Sequence, residues 1–206
     1  MKRIWMCLSA LMILCSVIAS VQAEDTSIDY VEEFDSILSE LQQLTHNASY
    51  MATVNIVIWD NVGVEEAAEH IKLIREYDLS NYYSDYDRKR IRMFVNAFSG
   101  QGTDYFSYIS YYQDAYDSLS EKTISRNTQY NGIKLTDVSN SIKQLRDKYE
   151  SEHSNGINAL KEYLIKLQSY ADFVINPSGN LMSYHSNNET YKNELEELKR
   201  NAEFEK

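Results

Sequence analysis

The chain has 206 residues, with 31 Asp and Glu against 20 Lys and Arg, a net charge of −11, one proline, six glycines and two cysteines. The acidic excess argues against a phosphate backbone as partner, because counterion release needs clustered Lys and Arg, so nucleic acid is not expected. So few prolines and glycines leave few breaks, and most of the chain repeats its apolar residues with a period near 3.6, which predicts an all-α protein.

The segment "MKRIWMCLSALMILCSVIASVQA" has a basic start at Lys2 and Arg3, an apolar block, and small residues at Ala19, Ser20 and Ala23. It reads as a secretory signal peptide over residues 1–23. The block, about sixteen residues, is shorter than the roughly twenty a membrane-spanning helix needs. Cleavage after Ala23 and a soluble product are expected; contact with the membrane arises only through this segment if it stays uncleaved. Cys15 suits a lipoprotein cysteine poorly, because Leu14 before it is bulky. Cleavage would take away both cysteines together with Lys2 and Arg3, so the acidic excess of the mature chain grows by two charges. A single domain over 24–206 is large enough to hold a core without disulfides. An exported chain free of cysteine suits a bacterial extracytoplasmic setting. Asn47-Ala48-Ser49 and Asn188-Glu189-Thr190 have the spacing of glycosylation sequons.

In chain order, Ser27 is expected to cap a long helix that continues to "DNVG". Its stripe is Ile28, Val31, Phe34, Leu38, Leu41, Leu44 or Thr45, Ala48, Met51 or Ala52, Asn55 and Ile58 or Trp59. The β-branched end of this run, "TVNIVIW", suits a strand by propensity, but the stripe enters it in phase, so helix is kept. A shorter helix follows on Val64, Ala67, Ala68, Ile71, Ile74 and Tyr77. Ser84 with Asp87 resembles a capping box and opens a helix through Ile91, Phe94, Val95 and Phe98; "DRKRIR", the one basic cluster, reads as its solvated face. After the turn "SGQGTD", Thr103 is expected to cap a tyrosine-rich helix, "YFSYISYYQDAY". Tyr105, Tyr108, Ile109, Tyr112, Tyr116 and Leu119 share one face, with Ser107, Ser110, Asp114 and Asp117 opposite.

Past an irregular connection over 123–135, the residues Val138, Ile142, Leu145, Tyr149, His153, Ile157, Leu160, Leu164, Leu167, Ala171 and Val174 are spaced by threes and fours. This is heptad spacing with a stutter near His153. "SNG" at 154–156 favours a turn, but the stripe keeps its phase across Gly156. One helix over 137–175 is therefore expected, about 57 Å long at the usual helical rise. "NPSGN" stops it. Ser186 with Glu189 offers a capping box for a last helix on Tyr191, Leu195, Leu198 and Ala202. The whole predicts an elongated antiparallel helical bundle with two long helices and several shorter ones.

Chemistry-bearing patterns are sparse. Glu150 and His153 have the Glu-x-x-His spacing of di-iron bundles, but that site needs a second copy and two further glutamates. Glu66 and His70 supply two ligands at most, so no metal or other cofactor is expected. His153 is read as a polar layer at the stutter that loosens the bundle when acid charges it. Neither a Gly-x-Ser-x-Gly elbow nor a phosphate-cradling glycine loop occurs, and no catalytic residue is assigned. The aromatic residues off the stripes, Tyr82, Tyr83, Tyr86, Phe106 and Tyr111, are the candidates for a partner-binding surface, since amphipathic rings are favoured at interfaces and also stack on sugars. The expected function is a secreted or cell-surface-associated bundle that binds a macromolecule, either a protein or a cell-envelope glycan. Alternatives are a membrane-active, pore-forming-like protein inserting "MATVNIVIW", an extracytoplasmic carboxylate- or metal-dependent enzyme, and a small-ligand sensor.

Overall fold

A single apolar stripe on the first helix organises everything packed around it. The computed structural model describes the backbone of residues 2–76, 105–120 and 130–206, and the side chains of 28–60, 62–63, 66–76, 109–120 and 130–206. Five helices and no strand occur among them: α1 Lys2–Val62, α2 Val64–Glu76, α3 Tyr105–Leu119, α4 Leu135–Ile175 and α5 Leu181–Glu205. The expected helix with the Ser84 capping box, the "SGQGTD" turn, the Thr103 cap and the basic cluster at 87–92 lie outside the described residues.

Phe34, Leu38, Leu41, Leu44, Ala48, Met51, Ala52, Asn55, Ile58 and Trp59 of α1 are buried, as their spacing requires, and "TVNIVIW" is helical. Two expectations at its start are corrected. The helix runs through residue 27 without a break, so Ser27 does not cap it. Ile28 is 53% exposed and Val31 also faces water, while Tyr30 and Ile37 take the buried positions; the seam is rotated by one position because α4 presents aromatic partners there. Gly63, at φ +79°, then turns the chain into α2, where Ala67, His70, Ile71 and Ile74 are buried and Ala68 is not.

Helix α4 is a single element by its hydrogen bonding, with non-helical backbone at His153 (φ −127°, ψ 33°). That residue reverses the chain. Glu33 of α1 pairs with Lys148 at 2.8 Å and Glu40 lies near Asp137, so residues 135–152 run antiparallel to α1. Thr45 meets Tyr163 at 3.1 Å and Asn55 meets the Val174 carbonyl at 2.8 Å, so residues 154–175 run parallel to it. Leu135 and Asp172 line one cleft, although a straight helix would separate them by about 55 Å. The long rod expected from the spacing is therefore two arms of a hairpin. Both arms bury their stripe against α1, which is why the apolar phase survives the reversal: Val138, Ile142 and Leu145 on one arm and Ile157, Leu160, Leu164, Leu167, Ala171 and Val174 on the other are all buried.

The rest follows from this hairpin. Helix α3 also runs antiparallel to α1, with Tyr112 bonded to Asn55 and Ser118 to Asn47. Helix α5 returns antiparallel again, with Tyr184 beside Asn55 and Lys206 paired with Asp35. The molecule is an up-down-up-down bundle in which the second column is assembled from two pieces, α3 and the first arm of α4. Asn180, not Ser186, caps α5, accepting from the Ser183 N–H at 2.9 Å; Ser186 lies inside the helix. Asp117, expected on the wet face of α3, is buried, as are Gln113 and Ser118, because α1, α2 and α4 all press on this helix.

Polar groups in the core hold the pieces in register. Asn55, fully buried, donates to the Val174 carbonyl and the Tyr184 hydroxyl and accepts from Tyr112 at 2.9 Å, so one amide ties four helices together. The two sequon asparagines are engaged in the same way: Asn47 donates to Ser118 at 2.9 Å, and Asn188 accepts from Tyr170 at 2.5 Å. Both are buried in helices, where a glycan could not be attached without unpacking the bundle. Among the described residues no helix is long and apolar enough to cross a membrane.

Candidate functional site

Where α3 gives way to the first arm of α4, the second column of the bundle has a joint, and the described residues with surface chemistry gather there. On its outer side Tyr111 is 41% exposed. It points away from the buried face of α3 carrying Ile109, Tyr112 and Tyr116, and its ring stands edge-on to Tyr50 of α1, with centroids 4.5 Å apart. Edge-to-face packing holds a ring in place while leaving one face open. Tyr130, from the connection into α4, joins this edge: its hydroxyl lies near Ser118, and Asp114, Asp117 and Tyr111 lie close enough that, after burial itself, the two carboxylates raise its pKa.

Of the five aromatic residues read from the sequence as a binding surface, only Tyr111 is described in full. Tyr82, Tyr83 and Tyr86 lie outside the described residues; Phe106 is in α3, but its side chain is outside them. Tyr50 and Tyr130 were not among the candidates. Tyr50 sits off the α1 stripe beside Met51 and carried the same signal as Tyr111, whereas Tyr130 lies in an irregular connection that no periodicity reads.

On its inner side the joint opens into a cleft of about 760 Å³. The last turn of α2 contributes Arg75, the start of α4 contributes Lys134, Ser139 and Asn140, and the end of α4 contributes Gln168 and Asp172. The Arg75 guanidinium donates through Nη2 to the Ile175 carbonyl and lies 4.7 Å from the centroid of the Tyr116 ring. A cation belongs at a helix C-terminus, where unpaired carbonyls carry partial negative charge. Close to Arg75, Tyr112 still has its pKa raised, since burial outweighs the guanidinium. Lys134 opens α4 with its backbone N–H on Asp137 Oδ2 at 3.2 Å, leaving the side chain to the cleft.

The two Glu/His pairs are not assembled into a centre. His70 Nδ1 lies 2.6 Å from the Glu66 carbonyl oxygen of its own helix. His153 stacks on Tyr30, with ring centroids 3.7 Å apart, at the half-buried tip of the α4 hairpin rather than in a sealed layer. Among the described residues no three His, Cys, Asp or Glu side chains converge as metal ligands would. No family model, curated protein or solved structure matches this chain.

Proposed function

We propose that the protein is an exported or cell-surface-associated helical bundle that acts by binding a macromolecule, with the tyrosine edge of Tyr50, Tyr111 and Tyr130 at the centre of the contact. The leader-like segment 1–23 supports export to a bacterial extracytoplasmic space. The observation that carries the binding role is the exposed Tyr111 ring, held edge-on by Tyr50 and off the buried face of its helix. Rigid amphipathic rings give large contact area at low entropic cost, which is why they dominate binding hot spots.

The test is photo-cross-linking from position 111 in the envelope of the producing cell, with Ser169, an exposed site on α4, as control. A discrete adduct is expected from 111 and none from 169. Replacing Tyr82, Tyr83 and Tyr111 together by alanine is expected to abolish binding to the captured partner with helical circular dichroism unchanged. Binding that survives this triple change would remove the aromatic surface from the account.

A further inference from the structure

Among the described residues nothing neutralises the charge of Arg75 in full. Its Nε is buried without a hydrogen-bond partner, its Nη2 meets a neutral carbonyl, and among the described residues no carboxylate pairs with it. Arg75 is half-buried, and a helix terminus offers its guanidinium only about half a compensating charge. Lys134, facing the same cleft, makes no ion pair among the described residues either, in a chain where acidic groups outnumber basic ones by 31 to 20. The cleft's other polar groups are of a different kind. Ser139, Asn140 and Gln168 offer neutral donors and acceptors, and Asp172 offers a carboxylate outside any ion pair among the described residues.

We infer that this cleft binds a hydroxylated monocarboxylate, the chemistry of a uronic acid, with the carboxylate between Arg75 and Lys134 and the hydroxyls on Asn140, Gln168 and Asp172. Asp172 decides the class: it accepts from a sugar hydroxyl but repels a phosphate dianion, so a compact doubly charged anion fits less well. A monocarboxylate sugar can arrive free or as one unit of an acidic glycan. The second source deepens the proposed binding function and rests on it, because Ser118 lines the cleft and lies near Tyr130, so an extended chain leaving the cleft would run onto the tyrosine edge. The first source does not depend on that reading.

Titration of the whole protein with galacturonate, galactose, inorganic phosphate and trigalacturonate, followed by amide chemical shifts and calorimetry, tests this. Galacturonate is expected to bind saturably in the millimolar range usual for weak single-site ligands, with shifts at residues 134–140 and 168–172. Lys134→Gln, at a side chain with no ion pair among the described residues, is expected to weaken it about tenfold, the scale of one charge-assisted hydrogen bond. Arg75→Gln should weaken it more, with thermal melting reporting whether the loss of its bond to Ile175 destabilises the fold. The inference is overturned if galacturonate does not saturate, if galactose or phosphate binds equally well, or if Lys134→Gln leaves affinity unchanged. Tighter binding of trigalacturonate, lost in Tyr111→Ala, supports the glycan source. If trigalacturonate gains nothing over the monomer, or keeps its gain in Tyr111→Ala, the cleft stands as a site for the free acid and the glycan source falls, while the tyrosine edge is judged by its own cross-linking test.

Discussion

A methyl group added at Gly156 would overlap the Tyr30 hydroxyl and lie 2.9 Å from the Glu205 carbonyl oxygen and 3.2 Å from Phe34 Cε2. The glycine is there because α1 and the last turn of α5 close on the α4 hairpin just past its tip. Overpacking costs about 1–3 kcal/mol, more than the roughly 1 kcal/mol by which alanine exceeds glycine in a helix. Gly156→Ala is therefore expected to lower stability. Tyr30 Oη has no hydrogen-bond partner among the described residues, so Tyr30→Phe is expected to be neutral or stabilising and to recover part of the loss in the double variant, the contact with the Glu205 carbonyl remaining. Urea denaturation of the four proteins checks this; an equal loss in both backgrounds would mean the hydroxyl is not what the methyl meets. The sequence showed a glycine against the heptad pattern, but not which ring it admits, since that contact joins residues far apart in the chain.

Among the elements, α4 gave the largest departure from expectation. The stutter at His153 and the "SNG" run marked the place of the reversal correctly. Its nature was hidden because periodicity records which face of a helix is apolar, not which way its axis points. Two arms folded onto the same neighbour keep the same face buried. Spin labels at Ser139 and Gln168, both exposed on the cleft rim, are expected to lie on the order of 10–20 Å apart, as neighbouring helices do. A continuous rod would put them at about 43 Å, and a distribution centred there would sink the hairpin. A similar limit explains α5. Asn180 and Ser186 both have capping chemistry, and only the position of Tyr184, packed under Trp59 with ring centroids 4.9 Å apart, selects the earlier start.

For the molecule as a whole, the buried tyrosines set the response to alkali. Burial raises the Tyr30 phenol to about 12 and pushes up Tyr112, Tyr163, Tyr170 and Tyr184 as well. These groups hold their protons more tightly folded than unfolded, so above pH 10 the unfolded chain binds fewer protons and stability falls as pH rises. Their contribution is fully present below about pH 10, the unfolded phenol value, and is lost as pH climbs through the raised values. Phenolate absorbance and helical signal followed together from pH 8 to 13 are expected to show late tyrosine ionisation coinciding with unfolding; ionisation of all tyrosines near pH 10 with the helices intact would contradict the packing. From the order of residues alone came the all-α class, the bundle, most of the buried seam and the off-stripe position of Tyr111, because each depends on a period along one chain segment. The hairpin in α4, the four-helix junction on Asn55, the burial of both sequon asparagines and the placing of Arg75 and Lys134 on one cleft were decided only in three dimensions. Those features depend on which faces meet, and hydrophobic burial, being non-directional, does not specify that from spacing.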